Sequence, residues 1–288
     1  MRRYILFFLL LSSMAVRMCA EKIILDSLKV QGNMRYFWLI LPEGIEKNAP
    51  CVFVAHGYGN PGKKNTWMNN AAQKHKFAVC IPHGLKDPKN KPSWNVGYPF
   101  QREWKVDDVT TMCKIAHFVQ KKYHLDKKNT FFTGMSNGGE MCYLLAYSKQ
   151  NVFKAVASLS GLTMEWIYRK MDAPKPMPIF EIHGRADHTS EWTGDLNNKG
   201  GWGAYMSTPL GVGYWIAKNK CENLEIDTIS SLNLESNRTI VKHKYKGGPT
   251  GCQVWLYEVI NGSHSWFEKD INIGEEVWSF FSQYITKR

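Results

Sequence analysis

The sequence has no apolar run long enough to cross a membrane. A spanning helix needs about 20 apolar residues, whereas the run from Ile5 to Leu11 is far shorter and no later stretch could span. Internal repeats and low-complexity segments are also missing, which argues against repeat architectures and disordered linkers. We therefore expect one large domain without stable membrane association.

Cysteine and histidine are not spaced as metal ligands. The seven cysteines form no Cys-x-x-Cys pair. His243 and the other histidines are not grouped with them at the spacing that zinc sites require. We predict no metal site and no cofactor.

A nucleic-acid-binding pattern is missing as well. The formal net charge is +12, but the lysines are scattered, as in Lys63-Lys64 and Lys127-Lys128. No basic run is interleaved with aromatic residues, as a nucleic-acid groove would require. A solvated basic surface is the simpler interpretation, and binding of an acidic, uronate-decorated polysaccharide is the alternative.

The N-terminus has a pattern typical of a secretory signal. Two arginines precede the short apolar run, small residues follow it, and Ala20 stands before the charged Glu21. We expect a signal peptide at 1–20 and one domain at 21–288, secreted or periplasmic. Six cysteines would remain, an even number that suits an oxidising compartment.

The clearest motif is Gly134-Met135-Ser136-Asn137-Gly138. The pentapeptide alone also arises by chance, but residues 129–133 have the composition of a buried strand, and residues 140–148 have apolar side chains at helical spacing. This strand, turn and helix are the setting of a nucleophile elbow, in which the serine backbone is strained and its flanking glycines avoid collisions. The pattern predicts that Ser136 is a nucleophile.

Strands and helices alternate along most of the chain. We predict strands at 22–30, 35–41, 49–55, 77–82, 129–133, 153–159, 178–182 and 253–260, and helices at 65–76, 107–123, 140–148 and 272–286. This rhythm is typical of a mainly parallel, twisted sheet that helices cover on both faces.

A serine nucleophile needs a histidine that accepts its proton and a carboxylate that orients the histidine. In sheets of this type the order along the chain is serine, acid, histidine. Asp187 follows a predicted strand end, and His264 lies in the loop before the last helix. Other residues remain possible: the alternative acids are Asp195, Asp172 and Glu191, and His56 and His183 are equally compatible with buried strand-end histidines bonded to backbone.

A second loop has the composition of an oxyanion hole. The strand at 49–55 runs directly into His56-Gly57-Tyr58-Gly59. Small residues there let backbone N–H groups approach a substrate oxygen. Since any strand can end in glycine, an ordinary loop is the alternative.

Three motifs together carry a family resemblance: Gly-Met-Ser-Asn-Gly-Gly at 134–139, His-Gly-Arg-Ala-Asp at 183–187 and Gly-Ser-His-Ser-Trp at 262–266. They resemble the serine, acid and histidine blocks of secreted feruloyl esterases and polyhydroxybutyrate-depolymerase-like esterases, within carbohydrate esterase family 1. The resemblance implies an α/β-hydrolase fold, with a catalytic triad of Ser136, Asp187 and His264. It also implies an oxyanion hole formed by the backbone amides of Tyr58 and Asn137.

The same resemblance carries two further expectations. In that group a disulfide often precedes the histidine loop, which implies a bond between Cys221 and Cys252. The group's histidine block usually reads His-x-Trp-Pro-Gly, whereas Phe267-Glu268 follows Trp266 here. This departure leaves the triad intact and affects the shape of the acyl pocket.

An aromatic, glycine-rich loop at 191–206 resembles the long loop of plant-cell-wall esterases from gut bacteria. We predict substrate contacts from Trp192, Trp202 and Tyr205 in this loop, and from Trp94 in the Pro/Asn-rich loop at 87–99. The alternative is that the loop aromatics fill a satellite core.

The implied function is a secreted carboxylic-ester hydrolase. Its substrates would be plant cell-wall polysaccharide esters, above all feruloyl or related hydroxycinnamoyl esters of arabinoxylan. Acetyl-xylan and bacterial polyester are the alternative substrates. A glycan-binding protein on an inactive hydrolase scaffold is the non-enzyme alternative, but it would require a missing triad residue, and none is missing.

Overall fold

The computed structural model describes residues 20–287. The predicted signal segment, except Ala20, therefore lies outside the described residues, as does Cys19. The strands of the described part are β1 (Lys22–Val30), β2 (Asn33–Leu41), β3 (Cys51–Ala55), β4 (Ala78–Pro82), β5 (Leu85–Lys86), β6 (Pro92–Ser93), β7 (Thr130–Met135), β8 (Val156–Leu159), β9 (Ile179–Gly184), β10 (Asn223–Ser230), β11 (Thr239–Lys246) and β12 (Val254–Ile260). The helices are α1 (Asn69–His75), α2 (Asp108–Lys122), α3 (Asn137–Tyr147), α4 (Glu165–Lys170), α5 (Thr208–Asn219) and α6 (Ile273–Ser282), with a 3₁₀ turn at Pro99–Gln101.

Ten of these strands form one sheet in the order β1-β2-β4-β3-β7-β8-β9-β12-β11-β10. The six central strands, β4 to β12 in this order, are parallel to one another. Each edge carries antiparallel strands, β1 and β2 at one end and β11 and β10 at the other. β5 and β6 pair separately as a short hairpin.

The sheet separates two hydrophobic cores. Along β3, Cys51, Phe53 and Ala55 pack into the core that contains α2, α3 and α5. The alternate residues Val52 and Val54 pack into the core that contains α1 and α6. Because successive side chains of a strand point to opposite faces, a strand buried on both sides reads as an unbroken apolar run. The predicted mainly parallel sheet with helices on both faces is confirmed.

The parallel strands bring distant loops to one edge of the sheet. β3 leads into 56–59, β7 into Ser136, β9 into 185–187 and β12 into 261–266. These four strands run in the same direction and lie close together in the sheet order. The carboxyl ends of parallel strands meet at one edge, which is where open α/β sheets bind ligands.

A buried ion pair ties the β1–β2 hairpin to α2 and to the loop near this edge. Arg35 Nη2 lies 2.6 Å from Asp108 Oδ1, and both side chains are almost fully buried. The other carboxylate oxygen, Asp108 Oδ2, accepts a hydrogen bond of 2.7 Å from the backbone N–H of Asn95. Burial raises the pKa of Asp108, although Arg35 opposes that shift.

We expect Arg35→Met to lower the free energy of unfolding by about 3–5 kcal/mol, because it leaves the Asp108 carboxylate buried without its cation. Urea denaturation measures the change. Lys122→Met is the matched control, because the exposed ammonium of Lys122 lies 2.8 Å from Asp26, and such a surface pair contributes about 1 kcal/mol or less. Equal losses in the two variants would contradict this account.

Candidate active site

Ser136 occupies the sharp turn between β7 and α3. Its backbone has φ 55° and ψ −122°, a combination that costs free energy for a residue other than glycine. The surrounding hydrogen bonds hold the turn: Ser136 N donates to Leu159 O over 2.8 Å, and Glu140 N donates to Ser136 O over 2.8 Å. The predicted strand, turn and helix are therefore present, with the strained serine at the turn.

Gly134 and Gly138 make this turn possible. A Cβ atom at Gly134 would stand 2.6 Å from the backbone of Gly138, and one at Gly138 would collide with the carbonyl oxygen of Ala55. Any side chain at these positions would push α3 away from β3 and β7. The two glycines thus have the steric role that the motif predicts.

His264 and Asp187 form a direct hydrogen-bonded pair. His264 Nδ1 lies 2.7 Å from Asp187 Oδ2, and the other carboxylate oxygen accepts hydrogen bonds of 2.8 Å from the backbone amides of Thr189 and Ser190. Burial raises the pKa of Asp187, but the bonds from His264 and Ser190 outweigh it, so the pKa lies below its ordinary value. An ionised Asp187 keeps the proton of His264 on Nδ1 and leaves Nε2 free to accept another.

The alternative acids bond elsewhere. Asp195 Oδ2 accepts a hydrogen bond from Gly200 N over 2.8 Å. Asp172 Oδ1 accepts hydrogen bonds from Tyr214 and Lys218. Glu191 is exposed in the loop, where its backbone N–H donates to the hydroxyl of Tyr205. Of the four acids considered, Asp187 is the one that the structure places against His264.

A second, fully buried histidine stands behind Asp187. His183 Nδ1 lies 2.9 Å from Glu181 Oε1, and His183 Nε2 lies 2.7 Å from Ser190 O and 3.6 Å from Asp187 Oδ2. Glu181 is held in turn by the hydroxyl of Tyr143, which donates to its other oxygen over 3.0 Å. Burial lowers the pKa of His183, but the bond to Glu181 outweighs it and the pKa is raised. Both ring nitrogens face acceptors, which favours the protonated form of His183, and a positive charge there favours an ionised Asp187.

The two backbone amides predicted to bind an oxyanion lie beside Ser136. Asn137 is the first residue of α3, so its N–H is one of the amides that a helix leaves without an internal partner. Tyr58 lies in the loop after β3, and its N–H has no hydrogen-bond acceptor within residues 20–287. Gly57 packs close to Ser136, since a Cβ there would stand 3.4 Å from Ser136 Cβ. The Tyr58 loop and the start of α3 thus flank the serine.

Side chains lock the Tyr58 loop from behind. The indole Nε1 of Trp94 donates to His56 O over 2.9 Å. The Asn137 side chain in turn holds the Trp94 backbone through Oδ1 to Trp94 N at 2.7 Å and Nδ2 to Trp94 O at 3.1 Å. His56 Nδ1 donates to Gly57 O over 2.8 Å, and Nε2 accepts from Gly84 N over 2.9 Å. Both flanks of the serine therefore belong to one hydrogen-bonded unit.

A cavity of about 450 Å³ opens beside these groups. Its lining includes Ser136, His264 and Tyr58. Further lining residues are Gly57, Asn60, Tyr98, Met135, Glu140, Leu162, Thr189, Ser190, Trp202, Ser265 and Trp266. The structure thus brings the predicted nucleophile, the predicted base and the predicted oxyanion loop to a single cavity.

The structure corrects three of the four predicted substrate contacts. Trp202 lines the cavity and lies half-buried against Tyr58, with ring centroids 5.2 Å apart. Trp94 has no exposed surface, Tyr205 is 1% exposed and Trp192 is 6% exposed, and none of the three lines the cavity. The prediction is wrong for these three, because Trp94 packs behind the Tyr58 loop and the other two fill the core under the 191–206 loop.

The predicted disulfide is also absent. All six cysteines in the described part of the chain are free thiols. Cys221 Sγ is directed towards the backbone oxygen of Cys252, 3.5 Å away, rather than bonded to its sulfur. The prediction of a Cys221–Cys252 bond is therefore wrong for this structure.

Within the described residues, no group of three or more His, Cys, Asp or Glu side chains could hold a metal ion.

A family model described as phospholipase/carboxylesterase matches residues 40–193, more than half of the chain. The chain belongs to this family. The match spans the Tyr58 loop, the Ser136 elbow and Asp187. The α/β-hydrolase fold and the esterase class predicted from the motifs are thereby confirmed.

Curated relatives have esterase names. The chain is 24% identical to feruloyl esterase D of Neurospora crassa over 88% of its own length and 84% of the relative. It is 28% identical to feruloyl esterase C of Emericella nidulans over 54% of its own length and 56% of the relative. A bifunctional acetylxylan esterase/xylanase of Neocallimastix patriciarum is 26% identical over 58% of this chain, which spans only 23% of that larger protein.

Solved structures agree in fold. An acetyl xylan esterase from Aspergillus awamori superposes with a TM-score of 0.61, covering 93% of this chain and 100% of that chain at 14% identity. An S-formylglutathione hydrolase from Agrobacterium tumefaciens gives a TM-score of 0.58 at 12% identity, with coverage of 92% and 95%. At such identities the likeness shows the shared fold.

Sequence reasoning missed several polar residues of the site. Glu140, Tyr98, Glu181 and the side-chain role of Asn137 had no part in the predicted site. Glu181 stands in the middle of a buried strand, where a carboxylate is rare unless paired. That conflict between residue type and burial was the signal available for finding it. The same signal marked Glu140, which occupies a helix that the pattern predicted to be largely apolar.

His56 makes a pH prediction possible. Burial lowers its pKa to about 4, because the charged imidazolium would lose its hydration; the bond to Gly57 O opposes this shift, and the charges of His83 and Arg35 add to it. An unfolded histidine titrates near pH 6.5, so between about pH 6.5 and 4 the unfolded chain binds a proton that the folded chain does not. We expect the free energy of unfolding to fall over this range, by up to about 3 kcal/mol.

Urea denaturation at several pH values measures this effect as the difference between the wild type and His56→Gln, which cannot titrate. We expect the variant to show the smaller loss on acidification. His117→Gln, on an exposed face of α2, is the control and should keep the wild-type pH dependence. Identical pH dependences for the wild type and His56→Gln would contradict the assignment.

Proposed function

We propose that this chain is a secreted serine carboxylic-ester hydrolase that releases ferulate or related hydroxycinnamates from arabinoxylan. The observation that carries the proposal is the His264–Asp187 pair in the wall of the cavity that holds Ser136 at a strained elbow. The names of the curated relatives support the choice of plant cell-wall esters. Acetyl-xylan is the second candidate substrate, because the Neocallimastix relative and the Aspergillus awamori structure have acetylxylan esterase names.

In the proposed reaction Ser136 Oγ attacks the ester carbonyl while His264 Nε2 accepts its proton. The tetrahedral oxyanion is stabilised by the backbone N–H groups of Tyr58 and Asn137. His264 then returns the proton to the alcohol oxygen as the C–O bond breaks, leaving an acyl group on Ser136. Water attacks this acyl-enzyme with His264 again as base, which releases the acid and restores the serine. Asp187 stays ionised throughout and orients His264.

The proposed substrate fits the aromatic wall of the cavity. Tyr58, Tyr98, Phe100 and Trp202 form one cluster, with centroid separations of 5.2 to 6.4 Å. Trp202 and Tyr58 contribute rings directly to the lining. Flat aromatic faces bind a phenolic ring or the apolar face of a sugar.

Secretion is part of the proposal. The support for it is the charged, apolar and small-residue pattern at 1–20. None of the helices described between residues 20 and 287 is long and apolar enough to cross a membrane. Expression of the full chain, followed by N-terminal sequencing of the protein in the medium, tests both export and the cleavage site.

Ser136→Ala should abolish ester hydrolysis while the protein stays folded. Removal of a triad serine costs on the order of 10⁶ in turnover in a well-studied protease. Turnover of a short-chain nitrophenyl ester measures the loss, and Ser279→Ala on the exposed side of α6 is the matched control. Near-normal turnover by folded Ser136→Ala would end the triad assignment. A wild-type protein that binds xylan fragments without turning over any ester would favour the glycan-binding alternative.

Trp202→Ala should lower kcat/KM for a feruloylated oligosaccharide about tenfold, and by much less for a small acetate ester, because acetate has little surface to pack on the ring. The comparison of the two substrates is the measurement. Leu196→Ala, an exposed residue of the same loop, is the control and should leave both values unchanged. Equal losses on the two substrates, or losses explained by a lower Tm, would assign Trp202 to the core.

A further inference from the structure

Glu140 is a buried carboxyl group in the wall of the Ser136 cavity. It lies one helical turn after the serine on α3, and it is 1% exposed. Even so, it lines the cavity together with Tyr98, Leu162 and Trp202. The triad chemistry described above does not use it.

Its two carboxyl oxygens have different environments. The Tyr98 hydroxyl and the Asn137 side chain lie near the carboxyl group and favour its ionised form. Oε2, by contrast, is buried and has no hydrogen-bond partner within the described residues. Burial raises the pKa of Glu140 to about 7, although Tyr98 and Asn137 oppose the shift.

An unpaired buried carboxyl oxygen needs a physical explanation, because it costs about 1–3 kcal/mol or more. The N-terminus of α3 favours a negative charge in its first turn. That effect stabilises the charge, yet it leaves Oε2 without a donor. An apolar side chain of similar size would occupy this position without this cost. A ligand in the cavity that donates a hydrogen bond to Oε2 would remove this cost. Such a ligand would explain why a carboxyl group is buried here.

We propose that Glu140 is a specificity-determining residue whose Oε2 accepts a hydrogen bond from a hydroxyl group of the bound ester. This inference rests on the proposed ester hydrolysis and adds the chemistry of the recognised group. The surrounding wall of Leu162, Trp202 and the Tyr98 ring suits a hydroxyl group carried on an otherwise apolar or flat skeleton. Both the acyl group and the alcohol of a cell-wall ester carry such hydroxyls.

Two substrate pairs distinguish the two sources of the hydroxyl. Methyl 4-hydroxycinnamate and methyl cinnamate differ by one hydroxyl on the acyl group. Glycerol monoacetate and propyl acetate differ by hydroxyls on the alcohol. A site built to bond a substrate hydroxyl discriminates strongly against the analogue that lacks it. We expect the wild type to prefer the hydroxylated member of one pair by at least about tenfold in kcat/KM.

Two substitutions of Glu140 test whether this preference depends on its carboxyl group. Glu140→Met removes the acceptor at similar size and should bring the preferred ratio close to one, while the ratio of the other pair stays as in the wild type. Glu140→Gln keeps one acceptor oxygen and should retain part of the preference. Because each result is a ratio of two substrates on the same protein, a general loss of activity does not imitate it.

Three outcomes would overturn the inference. These are wild-type ratios near one for both pairs, a preference that Glu140→Met leaves unchanged, and equal loss of preference in Glu140→Met and in Leu196→Ala. If Glu140→Met does not fold, the wild-type ratios and Glu140→Gln decide. Failure of the proposed function looks different, because the wild type would then hydrolyse none of the four esters in a Ser136-dependent way.

Discussion

The backbone contact between the elbow and β3 is the constraint on which the site depends. Gly138 lies directly against the carbonyl groups of Ala55 and His56, and Gly134 lies against the backbone of Gly138. This close approach places the end of β3 and the start of α3 on either side of Ser136. The amide of Asn137 and the amide of Tyr58 then flank the same serine. The strain at φ 55° is a local cost that packing on both faces of the sheet offsets.

The polar network behind the loop extends this constraint outward. Asn137 contributes its backbone amide to the serine side and its side chain to Trp94, whose indole holds His56. The next residue in that loop, Asn95, donates to the buried Asp108. A chain of bonds therefore runs from β2 through α2 to the Tyr58 loop. The indole N–H of Trp94 holds that loop through its hydrogen bond to His56 O. A phenylalanine at this position would lack that donor.

The sequence predicted the central sheet and the elbow because both produce local patterns, and it also named Asp187 and His264, which the structure places 2.7 Å apart. Strands buried on both faces are short apolar runs, and the elbow requires its two glycines. The hydrophobic pattern did not predict several elements outside the central sheet. β10 and β11 were not predicted. The edge strand β10 is exposed along nearly its whole length, so no run of hydrophobic residues indicates a strand there. α5 was missed because it contains Gly211 and Gly213, and glycine is a poor helix former. Gly211 is there because a Cβ would approach Thr163 within 2.6 Å.

The aromatic residues show a different limit. Trp192, Trp202 and Tyr205 are all aromatic residues of the same loop. Only the fold determines which of their rings faces the cavity. Composition reports how much aromatic surface a loop carries, whereas the direction of each side chain depends on the backbone course through glycines and on contacts from distant elements. Trp202 reaches the cavity because residues from the Tyr58 loop and the 98–100 turn pack against it, and neither is near it in sequence.

Two buried glutamates, Glu181 and Glu140, differ in how their carboxyl groups are hydrogen-bonded, although burial costs free energy in both cases. Glu181 has His183 and Tyr143 as partners, one on each oxygen, and His183 in turn lies 3.6 Å from Asp187 Oδ2. Glu140 shares the helix of Tyr143 and lines the cavity, but its Oε2 has no hydrogen-bond partner within the described residues. A satisfied buried charge adds rigidity, whereas a half-satisfied one gains free energy when a partner arrives. Tyr143 of α3 donates to Glu181, so the helix that begins after Ser136 contacts the buried network behind Asp187 and also carries Glu140 in the cavity wall.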